Sequence, residues 1–210
     1  MPRLVDHAVR RRQITDAVRR VIVAGGLEAV TFQSVAAEAG FSIRLVQYYF
    51  GTKNEFLLAT HRSVMHDTGA RFHQRWATLG PGAAPREAIH AVLTELLPLD
   101  EQRREEVLVL NVFATAAIAG RGITAEETFA APHALVAIVT DQLRRIRGSD
   151  RSSPNGVLER DAALITMTIG GLAQAMLQNF LTPQSALELI DHLLDRVLGT
   201  DTDPARTASN

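Results

Sequence analysis

TFQSVAAEAGFSIRLVQYYFGTK, residues Thr31 to Lys53 of a 210-residue chain, packs three helix starts into little more than twenty positions. Thr31 can N-cap a helix reaching Ala39, with Val30 and Val35 placed as a hydrophobic staple. Ser42 can N-cap a second to about Tyr49, with Phe41 and Val46 as its staple. Thr52 followed by Glu55 has the form of a capping box opening a third. Gly40 falls between the first two, where the chain must turn sharply.

Val35, Ala36, Ala39, Leu45 and Val46 are apolar at helical spacing, so they would pin this pair against a preceding helix. That leaves Ile43, Arg44, Gln47 and Tyr48 facing outward on the second helix. In a helix-turn-helix the second helix enters the major groove, its N-terminal residues at base edges. Arg44 can donate two parallel bonds to guanine, and Gln47 can pair with adenine. Thr31, Gln33, Tyr49 and Lys53, at helix ends or flanks, suit phosphate contacts, and Ser42 opens the reading helix.

Around this core the pattern is helical throughout. The first helix is expected from about His7 to Ala24, with Ile14, Ala17, Val18 and Val21 on one face and Gly25-Gly26 as its stop. After Lys53 the helices lengthen. The fourth is expected to reach Leu79, with a break near Gly69, and a fifth to run from Pro85 to Leu97. Asp100 caps a sixth to about Ala119, and Thr124 with Glu127 opens a seventh to Arg147, which Pro132 should kink or split. Gly148–Gly156 reads as a loop, Leu158–Leu181 as the eighth helix, and Thr182-Pro183 as the start of a ninth ending at Leu198. Thr200–Asn210 reads as a frayed tail. The fold class is all-α, about nine helices: an N-terminal three-helix DNA-binding domain over residues 1–52 and a helical body over 53–199.

Composition agrees and narrows the classes. The apolar share of 46% suffices for a packed core. Cysteine is absent, which excludes disulfides, thiolate metal sites and Cys nucleophiles. Residues 1–55 carry eight basic against five acidic side chains, a balance of +3 that leaves −4 for the remainder. That sign suits an anion-binding module on an acidic body. Met1–Arg12 is charged, with no apolar core of a secretory signal after it, so a cytoplasmic location is expected. The apolar stretch Ala162–Leu181 is broken by Thr166, Thr168, Gln174, Gln178 and Asn179, so a buried helix is expected there and not a membrane span.

The run from Thr31 to Leu57 resembles the signature of the TetR family. Thr31, Ala39-Gly40, Ser42, Tyr49-Phe50 and Thr52-Lys53 match it position for position. One departure stands out: the family's usual tyrosine in the recognition helix falls at Gln47, so Tyr48 or Tyr49 would take over its phosphate contact. Met1–Leu4, Arg10–Gln13 and Tyr49–Thr60 are further similar to the BetI-type subgroup, which responds to betaine and choline. The resemblance implies a homodimeric repressor on a palindromic double-stranded DNA operator, with a small-molecule effector that releases it, and no cofactor.

A dimer face is expected on the last two helices, at Ile165, Ile169, Leu172, Met176, Phe180, Leu187, Ile190 and Leu194, with Gly170-Gly171 permitting close approach. Phe72, Trp76, Phe113, Phe129, Met167 and Gln174 are the candidates for an effector pocket. His61, His66 and His73 lie five and seven residues apart, which does not match metal-ligand spacing on a helix, so no metal is expected. No Gly-rich phosphate loop or nucleophile elbow occurs, so an enzyme is not expected. The alternative to a specific regulator is a helical module acting through protein partners or nonspecific DNA binding.

Overall fold

A computed structural model describes residues 2–80, 82–121, 125–147 and 156–199. The segments 148–155 and 200–210, the Thr124 cap and the side chain of Phe129 lie outside the described residues. Among the described residues there are nine α-helices, one 3-10 turn (Leu27–Ala29) and no strand. The helices are α1 (Pro2–Gly25), α2 (Phe32–Ala39), α3 (Ile43–Tyr49), α4 (Lys53–Leu79), α5 (Pro85–Glu95), α6 (Glu101–Ile118), α7 (Ala125–Arg147), α8 (Val157–Leu177) and α9 (Pro183–Leu198). The all-α expectation holds. No described helix is long and apolar enough to cross a membrane.

The chain packs as two compact units, Met1–Arg71 with Asp100–Ala131, and Phe72–Leu99 with Pro132–Asn210. The first unit therefore takes in most of α4 and all of α6, beyond the 1–52 segment that carries the helix-turn-helix. Its core grows from α1, where Ile14, Ala17, Val18, Val21 and Ile22 recur at helical spacing and are all buried. Val35 and Ala36 of α2, Val46 of α3, Phe56, Leu57 and Val64 of α4, and Val109 and Phe113 of α6 close over that stripe. Phe56 meets Phe32 and Phe50 edge-on, with centroids 5.1 and 6.4 Å apart.

Polar ties secure α1 and α6 to α4 in the same unit. Arg12 and Arg19 both donate to Asp67, and Arg71 grips Glu106 with both terminal nitrogens. Glu106 is buried but well supplied, since Thr68 and Gln102 also donate to it.

In the second unit, α8 buries Ala162, Ile165, Ile169, Leu172, Ala173 and Met176, and α9 buries Ala186, Ile190 and Leu194. Arg86 of α5 donates to Asp191 and Asp195 of α9 and fastens those two helices.

Four features differ from expectation. α1 begins at Pro2 and not at His7. α4 runs unbroken through Gly69, because one glycine costs a helix only about 1 kcal/mol while α4 buries five side chains on its first three turns. α7 is one helix through Pro132, its later turns anchored by fully buried Val139 and Leu143. α8 ends at Leu177 and not at Leu181, because Asn179 takes a left-handed φ of 57°. The Asn179 and Phe180 amides then return to the Met176 and Ala175 carbonyls, the Schellman closure in which asparagine can replace glycine.

Candidate nucleic-acid interface

Each of the three expected caps forms. Thr31 Oγ1 accepts from the Ser34 amide at 3.0 Å, and Ser34 Oγ accepts from the Thr31 amide at 2.9 Å. Ser34 thus completes a capping box that needs no glutamate. Ser42 Oγ accepts from the Leu45 amide at 3.2 Å, and Thr52 Oγ1 from the Glu55 amide at 3.2 Å. The Glu55 carboxylate reaches one residue further back than the usual box, accepting from the Gly51 amide at 2.8 Å.

The turn between α2 and α3 is a Schellman closure on Gly40, whose φ of 67° is left-handed. The Phe41 amide donates to Ala36 and the Gly40 amide to Ala37. α1 ends where Gly26 takes a positive φ of 70°, and a Cβ on Gly25 would stand 2.7 Å from the Ala29 Cβ.

With both ends fixed, α3 presents two faces. Val46 is buried and Leu45 half-buried, whereas Ile43, Arg44, Gln47 and Tyr48 are exposed, Tyr48 to 76%. Thr31, Gln33, Ser42 and Lys53 are exposed around it. Lys53 Nζ lies 3.5 Å from the Leu27 carbonyl oxygen, so its reach begins from that anchor. Tyr49 is different. Half-buried, it packs against the His7 ring at 4.7 Å, and its carbonyl accepts from Arg11 at 2.6 Å. Sequence reasoning did not find Arg11, because its partner lies 38 residues away and no local pattern announces it.

The remaining candidate sets are rearranged. Ile165, Ile169, Leu172, Met176, Ile190 and Leu194 are at most 9% exposed in the single chain, so their apolar surface already closes its own core. Of the expected dimer face, Phe180 is exposed and Leu187 half-buried. The outward side of α8 instead carries Leu164, Met167, Gly170 and Gly171, and Leu189 is exposed on α9.

The expected effector residues divide between the two units, Phe113 and Phe129 in the first and Phe72, Trp76, Met167 and Gln174 in the second. Phe113 is core in the first, edge-on to buried His61, with 5.5 Å between centroids. Met167 and Gln174 lie on the exposed side of α8. Phe72 and Trp76 do meet, stacked at 6.0 Å and 17°. His66 and His73 are exposed, and among the described residues no three His, Asp or Glu side chains gather as a metal site.

Two short capped helices, the second laid outward with Arg44 and Gln47 free of the core, define a helix-turn-helix DNA-binding domain. Residues 14–60 match the family described as bacterial regulatory proteins, tetR family. The chain is 31% identical over 117 residues to the HTH-type transcriptional regulator PksA of Bacillus subtilis, covering 56% of each protein. It is 34% identical over 117 residues to the HTH-type transcriptional regulator BetI of Rhizobium meliloti, again 56% of each. The matched region thus spans about half the length of these curated relatives. The crystal structure of a transcriptional regulator from Rhodococcus sp. Rha1 superposes with a TM-score of 0.71 at 26% identity, covering 90% of this chain and 94% of that one. The tetR-family match thus falls on residues 14–60, and the fold as a whole superposes on that of a solved transcriptional regulator.

Proposed function

We propose that the protein is a cytoplasmic, homodimeric repressor that reads a palindromic operator with α3 of each copy and is released by a small-molecule effector. The observation that carries this reading is the outward face of α3, where Arg44 and Gln47 stand exposed on a helix capped at one end and buried through Val46. Arg44 suits guanine and Gln47 adenine. Thr31, Gln33, Ser42, Ile43, Tyr48, Tyr49 and Lys53 frame them as backbone and groove contacts. A palindrome needs two such helices, hence two copies.

The dimer face we propose lies on the exposed side of α8 and α9, at Leu164, Met167, Phe180 and Leu189. Gly170 and Gly171 support it, since a Cβ on either would meet nothing within the chain, leaving room for a second copy's helix. The effector-binding domain of this reading spans residues 53–199, and the stacked Phe72–Trp76 pair supports a pocket there. The family's regulators are named for transcription and not for a reaction, which supports a role without catalysis.

Selection from a random duplex library, followed by anisotropy titration, tests the reading. The preferred duplex should bind with a steep salt dependence, as phosphate contacts release counterions. Arg44→Ala and Gln47→Ala should each cost about 1–3 kcal/mol at one base pair and relax preference there. Binding that ignores sequence would instead favour a module using nonspecific DNA or protein partners. A thermal-shift panel led by choline and betaine, followed by release assays on the selected duplex, tests the effector.

A further inference from the structure

Adjacent arginines of α1 reach the two ends of α3. Arg11 Nη1 donates to the Tyr49 carbonyl oxygen at 2.6 Å, and its guanidinium carbon stands 4.1 Å above the Phe50 ring. Tyr49 is the last residue of α3 and Phe50 its C-cap. The guanidinium carbon of Arg10 stands 5.1 Å above the ring of Phe41, the residue just before the Ser42 cap.

The carbonyls of a helix's last turn lack intrahelical partners and carry the negative end of its dipole, so a cation held there is doubly favoured. Phe50 is fully buried, which makes its ring a fixed platform for the planar guanidinium. α3 needs such support. It has seven residues, too few to be stable alone, and Val46 is its one buried side chain. With Leu45 and Tyr49 only half-buried beside it, that face leaves the helix room to rock. Arg10 and Arg11 add two further contacts, one near each end of α3 and both carried by one helix.

We infer that Arg11, assisted by Arg10, is a positioning residue that sets the angle at which α3 meets base edges; this role rests on the DNA-reading function proposed above. Base readout tolerates little misplacement, because bidentate pairs need both bonds at once. A lysine would keep the charge but neither the planar stack nor the forked donor geometry.

The test uses the full chain with Arg11→Lys and Arg11→Met. Affinities are measured on the selected duplex and on a scrambled one across a salt titration. Both variants should lower the specific-to-nonspecific ratio by about tenfold or more. The salt slope on scrambled DNA should not change, because no phosphate contact is lost. A slope reduced by about 0.9 in Arg11→Met, with binding restored in Arg11→Lys, would make Arg11 a phosphate contact and overturn the proposal. Amide hydrogen exchange in the free protein supplies a readout that needs no DNA. Exchange at Val46–Phe50 should rise about tenfold in both variants while Ile14–Ile22 stay protected. Unchanged exchange at the end of α3 would also overturn the clamp. Raised exchange beside a wild-type protein that prefers no duplex would leave the clamp standing and remove the operator reading.

Discussion

Replacing Asp67 with asparagine isolates the tie between α1 and α4. Its Oδ1 accepts from Arg12 Nη1 at 2.9 Å, and its Oδ2 from Arg12 Nη2 at 2.6 Å and Arg19 Nη2 at 2.7 Å. Asparagine keeps the shape but turns one acceptor into a donor facing a guanidinium. The two arginines lose unequally. The Arg12 side chain is 46% exposed, so its share is that of a surface pair, about 0–1 kcal/mol. The Arg19 side chain is 7% exposed, and stripping a buried charge of its partner costs about 3–5 kcal/mol. Ser63 Oγ at 2.8 Å and Asp16 at 3.9 Å remain beside Arg19 and offset part of that loss. A net destabilisation of about 2–4 kcal/mol follows.

The pH dependence gives an independent check. Burial pushes the Asp67 carboxyl upward, but the hydrogen bonds and charges of Arg12 and Arg19 outweigh it and hold the group below its ordinary 3.8. A depressed folded value means that the unfolded chain binds the proton more readily. The stabilisation is therefore complete above the ordinary value and is lost as pH falls through the folded one. Urea unfolding followed by circular dichroism should show a constant gap between wild type and Asp67→Asn from neutral pH to about 5, closing only below about 3.8. A gap under about 1 kcal/mol at neutral pH, or one already shrinking above about pH 5, would refute the reasoning.

Two further outcomes follow from the fold. Asn179→Gly should leave stability unchanged or slightly raised, while Asn179→Ala should lose about 1 kcal/mol, because alanine resists the left-handed φ of 57° that closes α8; equal melting temperatures for the two variants would contradict this. Met167→Glu should shift sedimentation toward monomer without lowering helix content, since Met167 is 74% exposed in the single chain. If Met167→Glu stays dimeric, the proposed face is wrong.

Much of the DNA-binding domain is legible in the sequence. The caps at Thr31, Ser42 and Thr52 and the turn at Gly40 depend on partners within a few residues, so spacing announces them. The α1 stripe from Ile14 to Val21 was equally plain, because polar residues flank it and only one face can be buried. α8 offered no such contrast. Leu164 and Met167 alternate with Ile165 and Ile169, so both sides of the helix look fit for burial. The end of α8 is hidden for a related reason: asparagine seldom stops a helix, and nothing local marks Asn179 as left-handed.

The chain by itself thus determined an all-α protein with a capped helix-turn-helix whose outward face carries Arg44 and Gln47. Those are consequences of hydrogen bonds and periodicities that close within one or two turns. Only the tertiary structure decided which side of α8 is spent on the chain's own core. It alone brought Asp67 to Arg12 and Arg19, 55 and 48 residues away, and Arg11 to the far end of α3. Such pairings depend on how whole helices pack, and no spacing along the sequence encodes them.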